Sequence, residues 1–217
     1  MASTIPGGDI LSGALNVIAQ SLLLPVMILL IIFIIFAVIE IGSLLAEYTS
    51  RVKVTAKEKD ILVKSIAISK TQEEICENIN NSKLTKNDKA LLCSIATLNN
   101  EIYSKPTREI IAKNLLDEQE IKISKSLERT DIVAKLGSGL GLLGTIIPMG
   151  PGLGALGNGD MQTLTANLTV AFNTTTVGLT AGSICYVVSK IRRRWYEEEM
   201  SSLYDIATAI IEVELWP

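Results

Sequence analysis

The sequence predicts an all-α membrane protein. It has three transmembrane helices, a helical cytoplasmic region between the first and the second, and a cytoplasmic C-terminal helix. Three observations lead there. The 217 residues are 48% hydrophobic with mean hydropathy +0.37, and the apolar residues are gathered rather than spread. Ile10–Ile39, Leu136–Gly159 and Met161–Ser189 hold no charged residue, and each is long enough for the roughly 20 apolar residues that a membrane helix needs. Between the first two runs the chain is charged and carries its apolar residues at helical spacing.

Residues 1–20 read as an extracytoplasmic segment. Ile10, Leu11, Leu15 and Ile18 fall close to helical spacing there, which predicts a helix on the outer membrane surface before the chain turns in. Residues 21–46 read as the first transmembrane helix, with LLLPVMILLIIFIIFAVI at its centre and Pro25 near its start, where a missing N–H costs little. No Lys or Arg precedes this run and no small-residue cleavage site follows it, so it is not a signal peptide.

Residues 47–131 form the cytoplasmic helical region. Its pattern predicts one helix from about Ala56 to Asn80, ended by NNS. A second is capped by Thr85 with Asp88 three residues on and continues to Tyr103. Pro106-Thr107 opens a third, and nothing breaks it before Ile132. The Glu and Lys residues of these helices read as solvated faces.

Residues 132–157 and 161–189 read as the second and third transmembrane helices. Asp160 is the only charge between them, which predicts a tight hairpin. Residues 190–217 resume an amphipathic cytoplasmic helix. KIRRR at Lys190–Arg194 follows the third span, and Arg51 and Lys53 follow the first, while the N-terminus and the Asp160 turn carry no Lys or Arg. Positive charge marks the cytoplasmic side, so the N-terminus lies outside, the C-terminus inside, and the protein in the inner cell membrane.

The net charge of −3 lacks the basic excess of a nucleic-acid binder. Histidine is absent, and Cys76, Cys93 and Cys185 show no metal-ligand spacing. They read as reduced structural thiols, and neither a metal nor another cofactor is expected. GLGLLG, Gly139–Gly144, spells the dinucleotide pattern G-x-G-x-x-G. That pattern needs a strand before it and a helix opening after it. A charged helix precedes it here, and a membrane-length run contains it. Glycine has another use in lipid, where helices associate through close contact. Gly137, Gly141 and Gly144 fall near one helical side with Gly150 and Gly154 repeating the spacing, and Gly178 and Gly182 lie on a small-residue face of the third run with Asn167, Ala171 and Thr175. Pro148 and Pro151 are expected to kink or break the second span.

Another face of the third run is polar. At 100° per residue Thr165, Thr169, Asn173, Thr176, Thr180 and Ser183 fall within roughly 80° of arc. Such residues either bond their own helix and glue helices together or line a wet or inter-subunit surface. The second and third runs hold no charged group, so an ion path through them takes its titratable group from a partner.

GLLGTI, Gly141–Ile146, and TTVGLTAGSICY, Thr175–Tyr186, together with the layout of spans, resemble the second- and third-span motifs of the MotA/TolQ/ExbB family of ion-driven motor subunits. The resemblance implies a homopentamer in the lipid membrane around two copies of a single-span protein, each with an ion-binding aspartate. It places the pore-lining threonines on Thr145 and Thr175. The glutamate that the ExbB branch carries five residues before the latter falls on Val170, as in the flagellar branch, which also lacks it. Periodicity points instead to the stripe with Asn173 and Thr176, and both faces stand as candidates. The expected function is a non-enzymatic subunit of a proton- or sodium-conducting motor. The alternative is a non-conducting scaffold or signalling protein whose residues 47–131 bind a partner.

Overall fold

A computed structural model describes residues 8–51, 56–69, 71–98 and 102–213. Among these residues every regular element is helical: α1 Gly8–Ser50, α2 Ala56–Ile68, α3 Gln72–Asn81, α4 Lys86–Ala96, α5 Lys105–Gly157 and α6 Met161–Glu212. Contacts divide the chain into two compact units. One takes the chain as far as Leu45 together with Glu128–Lys190, and the other takes Ala46–Leu127 and the chain from Ile191 on.

In the first unit α1, α5 and α6 pack together through small and aromatic side chains. Ala37, Val133, Ala181 and Cys185 form the buried centre, with Phe33, Ile34 and Phe36 against it. Val26, Leu30 and Ala37 are the buried positions of α1, and their spacing marks one helical side. Its other faces expose Ile28, Ile31, Ile32, Ile35, Val38 and Ile39, as a helix surrounded by hydrocarbon does.

The second unit has a core of its own. Leu62 and Ile66 of α2, Ile75 and Ile79 of α3, Leu92 and Ile95 of α4, Leu116 of α5, and Leu203, Ile206 and Ile210 of α6 are buried in one cluster. The i, i+4 and i, i+3 pairs give each helix one apolar side. Polar ties surround it. Lys59 pairs with Asp205 at 2.6 Å, the Tyr204 hydroxyl donates to Asp117 at 2.6 Å, and Arg108 donates to the Ile211 carbonyl at 3.2 Å.

Several helices differ from the sequence expectation. No turn separates residues 8–20 from the first span, because α1 is continuous from Gly8 and Pro25 lies well inside it. One proline removes one intrahelical bond, which a long apolar helix tolerates. Residues 1–7 of that segment lie outside the described residues. The helix expected from Ala56 to Asn80 is two helices. Thr71 stops the first pattern by capping α3, accepting from the Glu74 N–H at 3.3 Å, and the T-x-x-E capping signature was legible there. The helix expected to reach Tyr103 ends at Ala96. Pro148 and Pro151 do not break α5, which runs on to Gly157.

The α5–α6 turn is built by three residues. Gly159 is left-handed, at φ 76°. The Asp160 N–H donates to the Ala155 carbonyl at 2.9 Å and the Gly159 N–H to the Leu156 carbonyl at 3.0 Å, the two bonds of a Schellman ending. Asp160 then caps α6, accepting from the Thr163 N–H at 3.0 Å and hydroxyl at 2.5 Å. Those two bonds hold the Asp160 carboxyl below the usual carboxylate range.

Candidate functional site

Glycine brings α5 and α6 into backbone contact in the first unit. A methyl group on Gly178 would lie 2.6 Å from the Gly137 carbonyl oxygen and 2.6 Å from the Gly141 Cα. One on Gly137 would lie 2.9 Å from the Gly182 Cα, and one on Gly144 2.6 Å from the Thr174 Cβ. Gly137, Gly141, Gly144, Gly178 and Gly182 therefore share one seam. Gly150 and Gly154 do not, since a methyl group there meets nothing within 4 Å.

This close approach decides where two hydroxyls go. Thr145 and Thr175 are hydrogen-bonded to each other across the seam. The Thr145 hydroxyl also reaches the Gly141 carbonyl at 3.1 Å and the Ala171 carbonyl at 3.3 Å. Thr175 reaches the same two, Ala171 at 3.1 Å and Gly141 at 3.3 Å. Two protons thus serve five contacts: one between the hydroxyls, and one from each hydroxyl to each of the two carbonyls. Whichever hydroxyl donates to the other leaves one carbonyl without a hydroxyl donor, so the pair can reverse its direction by rotating its two O–H bonds.

Asn173 and Thr176 lie elsewhere. Both are exposed, as are Thr165, Thr169, Thr180 and Ser183. Thr165, Thr169 and Thr176 donate to their own i−4 carbonyls at 2.8–2.9 Å. The seam side and the polar stripe are thus different sides of one helix, the first covered by α5 and the second open.

At the other end of the seam a second polar pair joins the same helices. The Ser189 hydroxyl donates to the Asp131 carboxylate, and Thr130 beside it is buried. Asp131–Ser189 and Thr145–Thr175 are each separated by fourteen residues along both helices, about 21 Å at 1.5 Å per residue. Glu40, inside the 21–46 span, is half-buried on α1 and within electrostatic reach of Cys185. Sequence reasoning missed both acids. Each sits just outside an uncharged run, Glu40 within the expected first span and Asp131 just before the second, and neither was given a role. Among the described residues no group of three or more His, Cys, Asp or Glu comes together to hold a metal.

Two helices are long and apolar enough to cross a membrane, α1 within Ile10–Ser50 and α5 within Lys105–Gly157. The third expected span, in α6, does not meet that measure among the described residues, because its threonines and Asn173 dilute its apolar residues. A family model matches residues 63–205, and its description is the MotA/TolQ/ExbB proton channel family. The chain belongs to that family. The MotA/TolQ/ExbB match takes in the whole seam, the Thr145–Thr175 pair, the polar stripe and most of the second unit. No curated protein matches the chain. Membership and the apolar helices together make this a helical membrane protein of a channel family.

Proposed function

We propose that the chain is one of five identical subunits of a proton- or sodium-conducting motor in the inner cell membrane. Its N-terminus is outside, and its C-terminus and residues 47–131 are in the cytoplasm. Residues 161–189 make the third span, whose polar stripe meets protein or water instead of lipid. Two copies of a single-span partner supply the ion-binding aspartate. One charge falling through 100 mV releases about 2.3 kcal/mol. An aspartate that stays charged in lipid costs several kcal/mol, so loading and unloading it gates movement of the subunits relative to the partner.

The observation that carries this reading is the Thr145–Thr175 hydroxyl pair in a chain of the channel family. A reversible hydroxyl pair can accept from a protonated aspartate and donate to an ionised one. Replacing both threonines with valine keeps the side-chain volume and removes both hydroxyls. Ion flux in proteoliposomes with the partner is expected to vanish while assembly persists. An assembled double variant that still conducts would remove this pair from the mechanism, and Asn173→Leu with Thr176→Val then tests the stripe. Native mass spectrometry of the purified chain is expected to count five subunits. A monomer or dimer would favour a non-conducting scaffold.

A further inference from the structure

Two thiols of the second unit take no part in the proposed ion path. They lie on α3 and α4, which are joined by residues 82–85, with Ser82 capping the end of α3 and Thr85 the start of α4. Beyond that turn the Lys89 ammonium donates to the Asn80 carbonyl at 2.9 Å. Four residues further along each helix, about one turn, the Cys76 thiol donates to the Cys93 carbonyl and the Cys93 thiol to the Cys76 carbonyl, both at 3.9 Å. Contacts of 80 with 89 and 76 with 93 are the register of an antiparallel hairpin.

The mutual contact puts both sulfurs in one gap between the helices. Packed helices lie about 8–10 Å apart, axis to axis, and each Cα stands about 2.3 Å off its axis. Facing positions therefore fall near the roughly 4.4–6.8 Å between Cα atoms that a disulfide spans. Ile75, Ile79, Leu92 and Ile95 are buried in the core, whereas Cys76 and Cys93 pack at its rim, half-buried and as free thiols. Cys185 is buried in the centre of the first unit. Burial, and then Cys93, push the Cys76 thiol up to about 11. Little of it is thiolate at neutral pH, so its oxidation is slow.

We propose that Cys76 and Cys93 are a redox-modification site, at which a small-molecule disulfide oxidises the two thiols to a disulfide that staples α3 to α4. One protein thiol loses its proton and attacks the small disulfide, which forms a mixed disulfide and releases one small thiolate. The other loses its proton and attacks the protein sulfur of that mixed disulfide, releasing the second small thiolate. The two thiolates take up the two protons, so two protein thiols are oxidised and one small disulfide is reduced to two thiols. The new bond closes a loop through residues 82–85, and the hairpin can no longer open by parting its helices. The staple forms whether or not the chain conducts ions.

Peptide mass spectrometry of the purified full chain tests it, after incubation with excess oxidised glutathione and alkylation of the remaining thiols under denaturing conditions. The peptides carrying Cys76 and Cys93 are expected to be joined, two hydrogens lighter than the reduced pair, with Cys185 alkylated. Both thiols still alkylated, glutathione retained on either, or a bond to Cys185 would each overturn the proposal. Hydrogen–deuterium exchange then reads the staple. The α3 and α4 amides are expected to exchange at least roughly tenfold more slowly in the oxidised chain, since the cross-link restricts the opened segment, and to recover with dithiothreitol. Unchanged exchange would show that the bond fastens nothing. In Cys93→Ser, Cys76 is expected to keep the glutathione that the wild type expels, and a Cys76 without it counts against the exchange step. If Cys93→Ser does not fold, Cys76→Ser is expected to keep glutathione on Cys93, with the same consequence if it does not.

Discussion

A methyl group on Gly178 would collide with backbone atoms of Gly137 and Gly141, and no rotamer change relieves a backbone clash. Gly178→Ala is therefore expected to cost about 1–3 kcal/mol of stability through overpacking, read as a lowered thermal midpoint in detergent. Gly150→Ala, with open space around it, is expected to be neutral or stabilising by up to about 1 kcal/mol. Equal destabilisation by both would show that the seam is not where glycine matters. In the sequence Gly150 and Gly154 repeat the four-residue spacing of Gly137 and Gly141. Spacing lists the residues able to share a face, and only the crossing of α5 with α6 decides where contact ends.

The arginines after the third run show the same limit. KIRRR marks a membrane boundary by charge, yet its members have unlike surroundings. The Arg192 side chain is 10% exposed against Glu47, whereas Arg194 is 80% exposed beside Glu198. Arg192→Ala is expected to destabilise by about 3 kcal/mol, because it strands a carboxylate in a partly buried place. Arg194→Ala is expected to change stability by less than about 1 kcal/mol. Thermal melts of the two variants side by side check this, and similar midpoints would remove the Glu47–Arg192 pair from the account.

Among the elements, the α5–α6 turn was the most legible. A lone charge between two uncharged runs predicted a tight hairpin, and Asn158-Gly159-Asp160 carries the chemistry for one. Gly159 ends α5 because its left-handed backbone costs an L side chain about 1–2 kcal/mol. Gly159→Ala is expected to lower the thermal midpoint accordingly, and an unchanged midpoint would mean that the turn relaxes to another form. The break between α2 and α3 was readable from T-x-x-E but lost to a hydrophobic pattern that continued across it. A periodic run says which face a helix buries, and a cap says whether it is one helix. At the prolines of α5 the expected break is absent, since the helix runs on to Gly157. Each removes one N–H from a helix that has many more, and of the two Pro148 is buried while Pro151 is exposed.

For the whole molecule, the pH profile follows from Glu199. Its carboxyl is raised from an ordinary 4.5 to about 7 in the folded chain, so between those values the native state holds more proton than the unfolded one. Burial is the largest cause of that rise; stability therefore rises as pH falls from 7 toward 4.5, and the full penalty of the ionised Glu199 carboxylate stands above 7. The thermal midpoint is expected to be higher at about pH 6 than at about pH 8, with the difference reduced in Glu199→Gln. A higher midpoint at the alkaline value would reverse the sign and remove this carboxyl from control. The opposite sign belongs to Asp160, whose depressed carboxyl contributes only above the ordinary carboxylate range and is lost as pH falls further.

The sequence by itself determined the class of this protein. Long uncharged runs have only helical solutions in hydrocarbon, because each backbone polar group must be satisfied within the segment. The GLLGTI and TTVGLTAGSICY motifs carried the family. Tertiary structure alone decided which side of each helix is covered. It brought Thr145 to Thr175, closed the seam on five glycines, and left Asn173 and Thr176 open. Thr145 and Thr175 lie thirty residues apart on two successive helices, and spacing within one helix holds no information about which of its faces the next helix will meet.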